Sequence, residues 1–565
     1  MFRRCYLLAA CLTARLVRSE ISDSVPVSPR STTGFIVDAG SQGSRLHVYN
    51  WAPREFSSVP PPITVPTSNE QWTARMSPGI STLGDFESVG AHLAQLIDYA
   101  KSVLVGYEEQ WDNFPLYFKA TGGMREMPME ARERMMRWVR QHLSDKAFNP
   151  FLFRPDMARV ISGEEEAAYS WAAMNFLMGV LLPATQGTGT VDVASLNTTT
   201  FGTLDLGGAS SQIAFFLPSQ DISEGLFKLH IGAQKHWNIY TKSYLTFGQQ
   251  SARERHLQLL ADLSPDKSGP ANGTTVSKES VLNFCFHAGY AEEVATYSAS
   301  SRWRRVVRVV GPTLPARDQF DRCSSLLRPL MEEDHSDFCD TVYDGQCSIY
   351  GSYQPAIPTD QRFIGTSSYK YAWNILMLPD TARLKDYKEK ARFVCSLSYA
   401  DAGVYSASNS MMLSDDKLLL NVPYFCFIST YTYVLLVNGY GFSDDSVITV
   451  LDQVNGNKAG WALGAIMYEI NTLPWELTLT KGLDWNLALI FMFIGLILGA
   501  LLAILSYYFF LGQSIFSEVA GKGFLSRSTS KDTEVHLDGL GPYQYRYRSV
   551  DSSDSIKSRE GVIMI

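Results

Sequence analysis

The chain lacks an excess of positive charge. Its 49 lysines and arginines stand against 57 aspartates and glutamates, a net charge of −8. A general nucleic-acid binder carries a basic surface, so no nucleic-acid partner is expected. No Walker A loop is present, which removes the P-loop as a means of holding phosphate. The chain has no CxxC pair, and its nine histidines form no HExxH, so a zinc site is unsupported. Composition excludes wholesale disorder, because 45% hydrophobic and 19% charged residues are globular values. At 565 residues, the chain holds about three or four domain-sized units.

Charge is also missing from one long stretch, Leu487–Leu511. As a helix it spans about 37 Å, enough to cross a hydrocarbon core of about 30 Å with tilt. Trp485 stands at one edge, and Tyr507 and Tyr508 near the other, as interfacial anchors do. A soluble domain rarely needs a helix apolar on every face, so residues 487–511 read as a transmembrane helix. Near the start, Arg3 and Arg4 precede a short apolar stretch, Cys5–Ala14. This fits a signal peptide over residues 1–20, either cleaved or kept as an anchor. Together the two segments predict a single-pass type I protein. Its large middle part lies at the cell exterior or in the secretory lumen, and a polar, Ser-rich tail (512–565) lies in the cytoplasm.

Cysteine is scarce, with eight in all. Cys5 and Cys11 belong to the signal segment. Cys285, Cys323, Cys339, Cys347, Cys395 and Cys426 all precede the span, and an even number there predicts three disulfides. Two glycosylation sequons, at Asn197 and Asn272, fall on the same side. Between these marks, residues 52–80 and 260–280 read as loops. Residues 84–105 and 126–147 read as amphipathic helices, and a polar loop runs from Gly187 to Thr200.

One internal echo carries chemistry. Gly34-Phe-Ile-Val-Asp38-Ala-Gly40-Ser-Gln-Gly43-Ser-Arg is matched by Thr203-Leu-Asp205-Leu-Gly207-Gly208-Ala-Ser210-Ser. Each is an apolar strand, an aspartate, a glycine turn with hydroxyls, and a second alternating strand. Each predicts a β-hairpin whose turn faces a ligand. Glycines allow close backbone approach. Successive N–H groups in such a turn suit a phosphate, and Ser41, Ser44, Ser210 and Ser211 add hydroxyls. An aspartate at the strand end suits a hydrated divalent cation. One Asp-Gly turn alone is an ordinary hairpin signal; two in matching context form a clamp for a polyphosphate and its metal. Between them lie a strand–turn–helix at Phe118-Lys-Ala-Thr121-Gly122-Gly123-Met-Arg125 and a helix start at Gly163-Glu164-Glu165-Glu166. Acids there either complement the helix dipole or supply a general base for a water.

In this order the motifs resemble the signatures of the ectonucleoside triphosphate diphosphohydrolase (apyrase) family. DAGSQGSR is similar to the first phosphate loop, ATGGMR to the second signature, GEEEAAYSW to the third and DLGGASSQI to the fourth. Ala459-Gly-Trp461-Ala-Leu-Gly464 is similar to the fifth. The resemblance covers roughly residues 33–475. It implies an α/β, actin-like fold of two RNase H-like lobes with the active site in the cleft, beside the one C-terminal membrane helix. Lobe I is expected over 32–158 and again over 429–478, with lobe II over 159–428. The implied activity is hydrolysis of the terminal phosphate of nucleoside tri- and diphosphates, with Ca²⁺ or Mg²⁺.

Carried over by position, Asp38 and Asp205 hold the metal, largely through water. Ser41, Gly43, Gly207, Gly208, Ala209 and Ser210 cradle phosphates, and Thr121, Gly122 and Arg125 complete that side. Gln212 and Glu166 position the attacking water, with Glu166 as base because it aligns with the family glutamate. Tyr369 or Tyr371 stacks on the nucleobase. The family's disulfide pattern implies Cys285–Cys323, Cys339–Cys347 and Cys395–Cys426. The oligomeric state, homo-oligomer or monomer, stays open. Three departures stand out: Gln42 in the first loop, Gly122-Gly123 for the usual Ala-Gly, and no early cysteine pair. The rival readings are an exopolyphosphatase-like hydrolase, for which ISGEEEAAY is also suggestive, a catalytically silent receptor, and a sugar kinase on the same superfold.

Overall fold

The computed structural model describes residues 32–52, 63–69, 71–181, 200–217, 222–231, 235–263, 275–297, 304–332, 336–409, 421–472 and 485–520. The signal segment, both sequons, most of the Gly187–Thr200 loop and the tail beyond residue 520 lie outside the described residues.

Strand β1 (Thr32–Ala39) is buried at every position but its first, as a central strand covered on both faces must be. It turns into β2 (Ser44–Trp51), which pairs with β3 (Thr73–Met76). This short edge strand corrects the expectation of an unbroken loop over 52–80. Helix α1 (Phe86–Val103) starts at Asp85, whose carboxylate accepts the Ser88 N–H at 2.7 Å. It buries Val89, Leu93, Leu96, Ile97 and Ala100 at helical spacing. Then follow β4 (Leu116–Ala120), the single turn α2 (Gly122–Arg125), α3 (Met129–Ser144) and β5 (Ala158–Val160). The sheet order is β3-β2-β1-β4-β5, with β4 and β5 parallel to β1. This is the RNase H-like arrangement the motifs imply.

Helix α4 (Gly163–Leu177) leads to a second sheet. Here β6 (Gly202–Leu206) and β7 (Ser210–Phe216) repeat the opening hairpin, and β8 (Leu226–Ile231) and β9 (Lys235–Leu245) extend it. Helix α5 (Gln249–Asp262) and a small sheet of β10 (Thr275–Leu282), β11 (Ala291–Tyr297) and β12 (Arg304–Val310) follow. The loop expected over 260–280 is therefore partly helix and partly strand. Helix α6 (Gln319–Leu327), β13 (Phe363–Ser367), α7 (Ser368–Ile375), β14 (Thr381–Arg383), α8 (Leu384–Cys395), α9 (Phe425–Val434) and β15 (Val447–Val450) complete the lobe. The sheet order is β14-β15-β13-β6-β7-β9-β8, with β13 parallel to β6 and β15 parallel to β13. The expected return to the first lobe at residue 429 thus comes too early. Helix α9 packs in the core of the second lobe, and β15 buries Ile448 and Val450 as a strand of the second sheet.

Helix α10 (Trp461–Thr472) packs along α4 and reaches β1, while α4 lies on β6, β7 and β9. The two helices therefore join the lobes. The three disulfides pair as the resemblance implies: Cys285–Cys323, Cys339–Cys347 and Cys395–Cys426. A separate unit begins after Thr472. It holds α11 (Trp485–Ala520), whose Met492–Phe509 stretch has a mean hydropathy of 2.2, is nowhere buried, and is long and apolar enough to cross a membrane.

Candidate active site

The two hairpin turns close in the same way. Gly40 N–H donates to Gly43 O, and Gly207 N–H donates to Ser210 O, both at 3.0 Å. None of these four loop residues takes a left-handed φ; the glycines serve close approach instead. A Cβ on Gly208 would lie 2.4 Å from Ser41 Oγ, and one on Gly122 would lie 2.9 Å from Ala209 Cβ. Ser41 can turn its hydroxyl aside from the first, but no rotamer moves Ala209 Cβ, so the loop at Gly122 approaches the 207–210 loop because a side chain is missing.

Their meeting place is a cleft of about 720 Å³. Asp38, Ser41, Gly43, Thr121, Gly122, Glu166, Asp205, Gly207, Gly208, Ala209 and Ser210 all line it. The second loop is held from behind. The N–H groups of Gln249 and Gln250 donate to the carbonyls of Gly207 and Gly208 at 2.9 and 3.0 Å, and Thr246 N–H donates to Ala209 O at 2.8 Å. In a trans peptide the carbonyl of one residue and the N–H of the next point in opposite directions. The N–H groups of Gly208, Ala209 and Ser210 thus point away from the donors that hold the carbonyls, in a loop that lines the cleft. Such convergent amides can hold a phosphate without any basic side chain.

The three consecutive acids at the start of α4 separate by position. Ser162 caps the helix through Glu165 N–H at 3.1 Å, and Glu165 returns to Ser162 N–H at 2.9 Å, a reciprocal capping box. Glu165 also binds Arg159 at 2.7 Å. Glu164 is half-buried and lines no part of the cleft. Only Glu166 is buried and faces the cleft. Arg125 donates to its Oε2 at 2.8 Å and to Ser210 Oγ at 3.0 Å. Gln212 Nε2 lies 3.3 Å from the same carboxylate oxygen and 2.7 Å from Ser210 Oγ, while its Oε1 is buried without a hydrogen-bond partner. Burial pushes the Glu166 carboxyl up to about 7; Arg125 restrains the rise, and Asp205 and Asp38 add to it. A carboxyl poised there can take a proton from water near neutral pH.

Asp38 and Asp205 end the two first strands of the hairpins. Burial pushes Asp38 up to about 6; Arg45, 3.7 Å away, opposes this, Asp205 adds to it and Arg75 opposes it. Burial also raises Asp205, against the hydroxyls of Ser367, Thr366 and Ser170. Asp205 Oδ1 is buried with no hydrogen-bond partner. Two carboxylates that repel each other, one with an orphaned oxygen, fit a divalent cation. Among the described residues no three Asp, Glu, His or Cys side chains form a cluster. Such a cation would thus take most of its oxygens from water and phosphate.

The structure separates the two tyrosines expected at a nucleobase. Tyr371 lines the cleft, whereas Tyr369 is fully buried in the core of the second lobe, so Tyr369 is corrected to a packing residue. Several cleft residues were missed by the motifs: Arg45, His47, Arg75, Arg253, Lys370, Tyr424 and Lys458. Arg253 lies 4.2 Å from the Tyr424 ring centroid. Arg45 and Arg75 stand directly opposite each other on β2 and β3. The pairing of Asp38 with Arg45 was available in DAGSQGSR, since a two-strand hairpin closing on Gly40 and Gly43 sets that register. His47 follows on the same strand, while Arg75, Arg253, Lys370, Tyr424 and Lys458 come from other elements that no local pattern links.

With fold and cleft described, the chain can be placed among known proteins. It belongs to the GDA1/CD39 (nucleoside phosphatase) family, whose match extends over residues 27–482. It is 24% identical to the Golgi apyrase of Saccharomyces cerevisiae over 473 residues, covering 77% of this chain and 69% of that one. It is 25% identical to ectonucleoside triphosphate diphosphohydrolase 1 of Bos taurus over 465 residues, covering 78% and 82%. Among solved structures, a nucleoside triphosphate hydrolase of Neospora caninum superposes with a TM-score of 0.52 at 14% identity, over 84% of this chain and 97% of that one. That likeness establishes the shared fold.

Proposed function

We propose that the protein hydrolyses the terminal phosphate of nucleoside tri- and diphosphates outside the cytosol, tethered by α11. One observation carries this reading: Glu166, alone of three adjacent acids, is buried at the cleft between the two phosphate-type turns, beside Gln212 and Arg125. In the proposed mechanism the amides of residues 208–210 and the first loop orient the phosphate chain, and Thr121, Gly122 and Arg125 flank the terminal group. Glu166 takes the proton from a water held by Gln212 Oε1. The water attacks in line, and the nucleotide leaves with one phosphate fewer. Asp38 and Asp205 would hold Ca²⁺ or Mg²⁺, which supplies neutralisation of phosphate charge when bound. The protein's own contribution is positioning and fixed dipoles. Tyr371 and Tyr424 flank the space left for a base.

The test is phosphate release from a panel of nucleoside tri- and diphosphates and long-chain polyphosphate, on intact and permeabilised cells. Nucleotide cleavage on the non-cytosolic side is expected. Cleavage of polyphosphate alone would overturn the substrate, and equal access only after permeabilisation of the plasma membrane would place the activity in an internal compartment.

A further inference from the structure

Two non-glycine residues near the second loop, Thr246 (φ 71°) and Tyr350 (φ 55°), hold left-handed backbones. For a β-branched or bulky residue this conformation is costly and persists only where surroundings enforce it. The two are far apart in sequence and meet at one side chain. Arg255 on α5 donates through Nη1 to Thr246 O and Oγ1, each at 3.4 Å, and through Nη2 to the Tyr350 hydroxyl. Its guanidinium also stacks 4.6 Å from the Phe247 ring centroid. Thr246 in turn donates to Ala209 O, and two residues later Gly248 packs so tightly on the loop that a Cβ would lie 2.3 Å from Ala209 N.

We propose that Arg255 is a positioning residue for phosphate binding: it pins Thr246 in its left-handed conformation, so that the 207–210 loop keeps its amides aimed into the cleft. The inference rests on the nucleotide-hydrolase reading. Arg255 itself touches no part of the cleft. Its outer side lines a separate surface cavity of about 480 Å³ with Tyr350, Leu259 and Leu330. Replacing it therefore opens to solvent rather than leaving a void in the core.

Glycine accepts a left-handed φ without strain, so the pin becomes dispensable if Thr246 is glycine. Arg255→Met is expected to raise KM for nucleotide about tenfold while kcat changes less than about threefold. Adding Thr246→Gly should bring KM back to within about threefold of wild type, a strongly non-additive cycle. A purely structural role would lower the active fraction and melting temperature and leave KM unmoved. Should Arg255→Met fail to fold, Tyr350→Phe removes one contact of the same guanidinium. Its expected two- to threefold rise in KM should vanish in the Thr246→Gly background. Unmoved KM in Arg255→Met or, where that does not fold, in Tyr350→Phe overturns the proposal, as does an equal rise with and without Thr246→Gly. A wild-type protein inactive on every nucleotide would overturn the hydrolase reading and this inference with it.

Discussion

The first and second hairpins share a turn and differ in what stands across from the aspartate. Asp38 is paired with Arg45, and Asp205 with Gln212. The first aspartate therefore sits beside cations, Arg45 and, opposite it, Arg75. The second is met mainly by the hydroxyls of Ser367, Thr366 and Ser170, with Arg45 acting on it across the cleft, and its partner Gln212 reaches Glu166. One duplicated element has two environments. On the proposed reading, the strand–Asp–turn unit is the shared part that would hold metal and phosphate, while the cross-strand residue differs, a cation in one hairpin and an amide beside Glu166 in the other.

The largest test removes the water side altogether. Glu166→Gln is expected to lower kcat by about 10²–10⁴ while nucleotide affinity, measured by calorimetry, changes little. Wild-type-like turnover would remove Glu166 from the reaction. The cross-strand residues sharpen the contrast next. Gln212→Ala should lower kcat about 10–100-fold with KM nearly constant, and Arg45→Ala should raise KM about tenfold with a smaller loss in kcat. If both variants fall in the same parameter, the division of labour between the hairpins is wrong.

The pH profile follows from Glu166. Its carboxyl is raised to about 7, and a general base works only when ionised. The profile of kcat/KM should therefore rise with pH through about 7 and fall away below it. Arg125 restrains that rise, so Arg125→Met should move the limb to higher pH as well as weaken phosphate binding. A limb that stays in place would separate Arg125 from Glu166.

The smallest effect is on stability. Asp38 is harder to ionise in the folded protein, at about 6, than in the unfolded chain near 3.8. Stability from this group is intact below about 3.8 and is lost as pH rises through 6. At pH 7 in chelator, Asp38→Asn should then stabilise by about 1–3 kcal/mol, a few degrees in Tm, while abolishing metal-dependent activity. Destabilisation by this variant would mean that Arg45 outweighs burial.

Much of this site was legible because its chemistry is local. Asp38, Ser41 and Gly43 lie within one turn, as do Asp205 and Ser210, and a hairpin brings such residues together without help from the rest of the fold. The start of α4 was legible for the same reason, although Ser162 and Glu165 were needed to free Glu166 from capping duty. What failed was long-range or a matter of phase. Tyr369 and Tyr371 are two apart on α7, about 200° around the helix, so only one could face the cleft, and the sequence does not say which side the core takes. Strand β15 is four residues long, too short for alternation to mark it, and its place is fixed by parallel pairing with β13. The second cation beside Asp38, Arg75, comes from β3, which only the sheet brings to the hairpin.

The fifth motif, AGWALG, had offered no chemistry, yet Gly464 within it has a strict role. A Cβ there would lie 2.0 Å from the carbonyl oxygen of Tyr169, so α10 and α4 touch backbone to backbone. Side chains can yield by changing rotamer, but two peptide chains in contact cannot. The spacing of the lobes is thus gauged by bare main chain, and the width of the cleft inherits the tolerance of that one joint. Any residue larger than glycine at position 464 would wedge α10 and α4 apart.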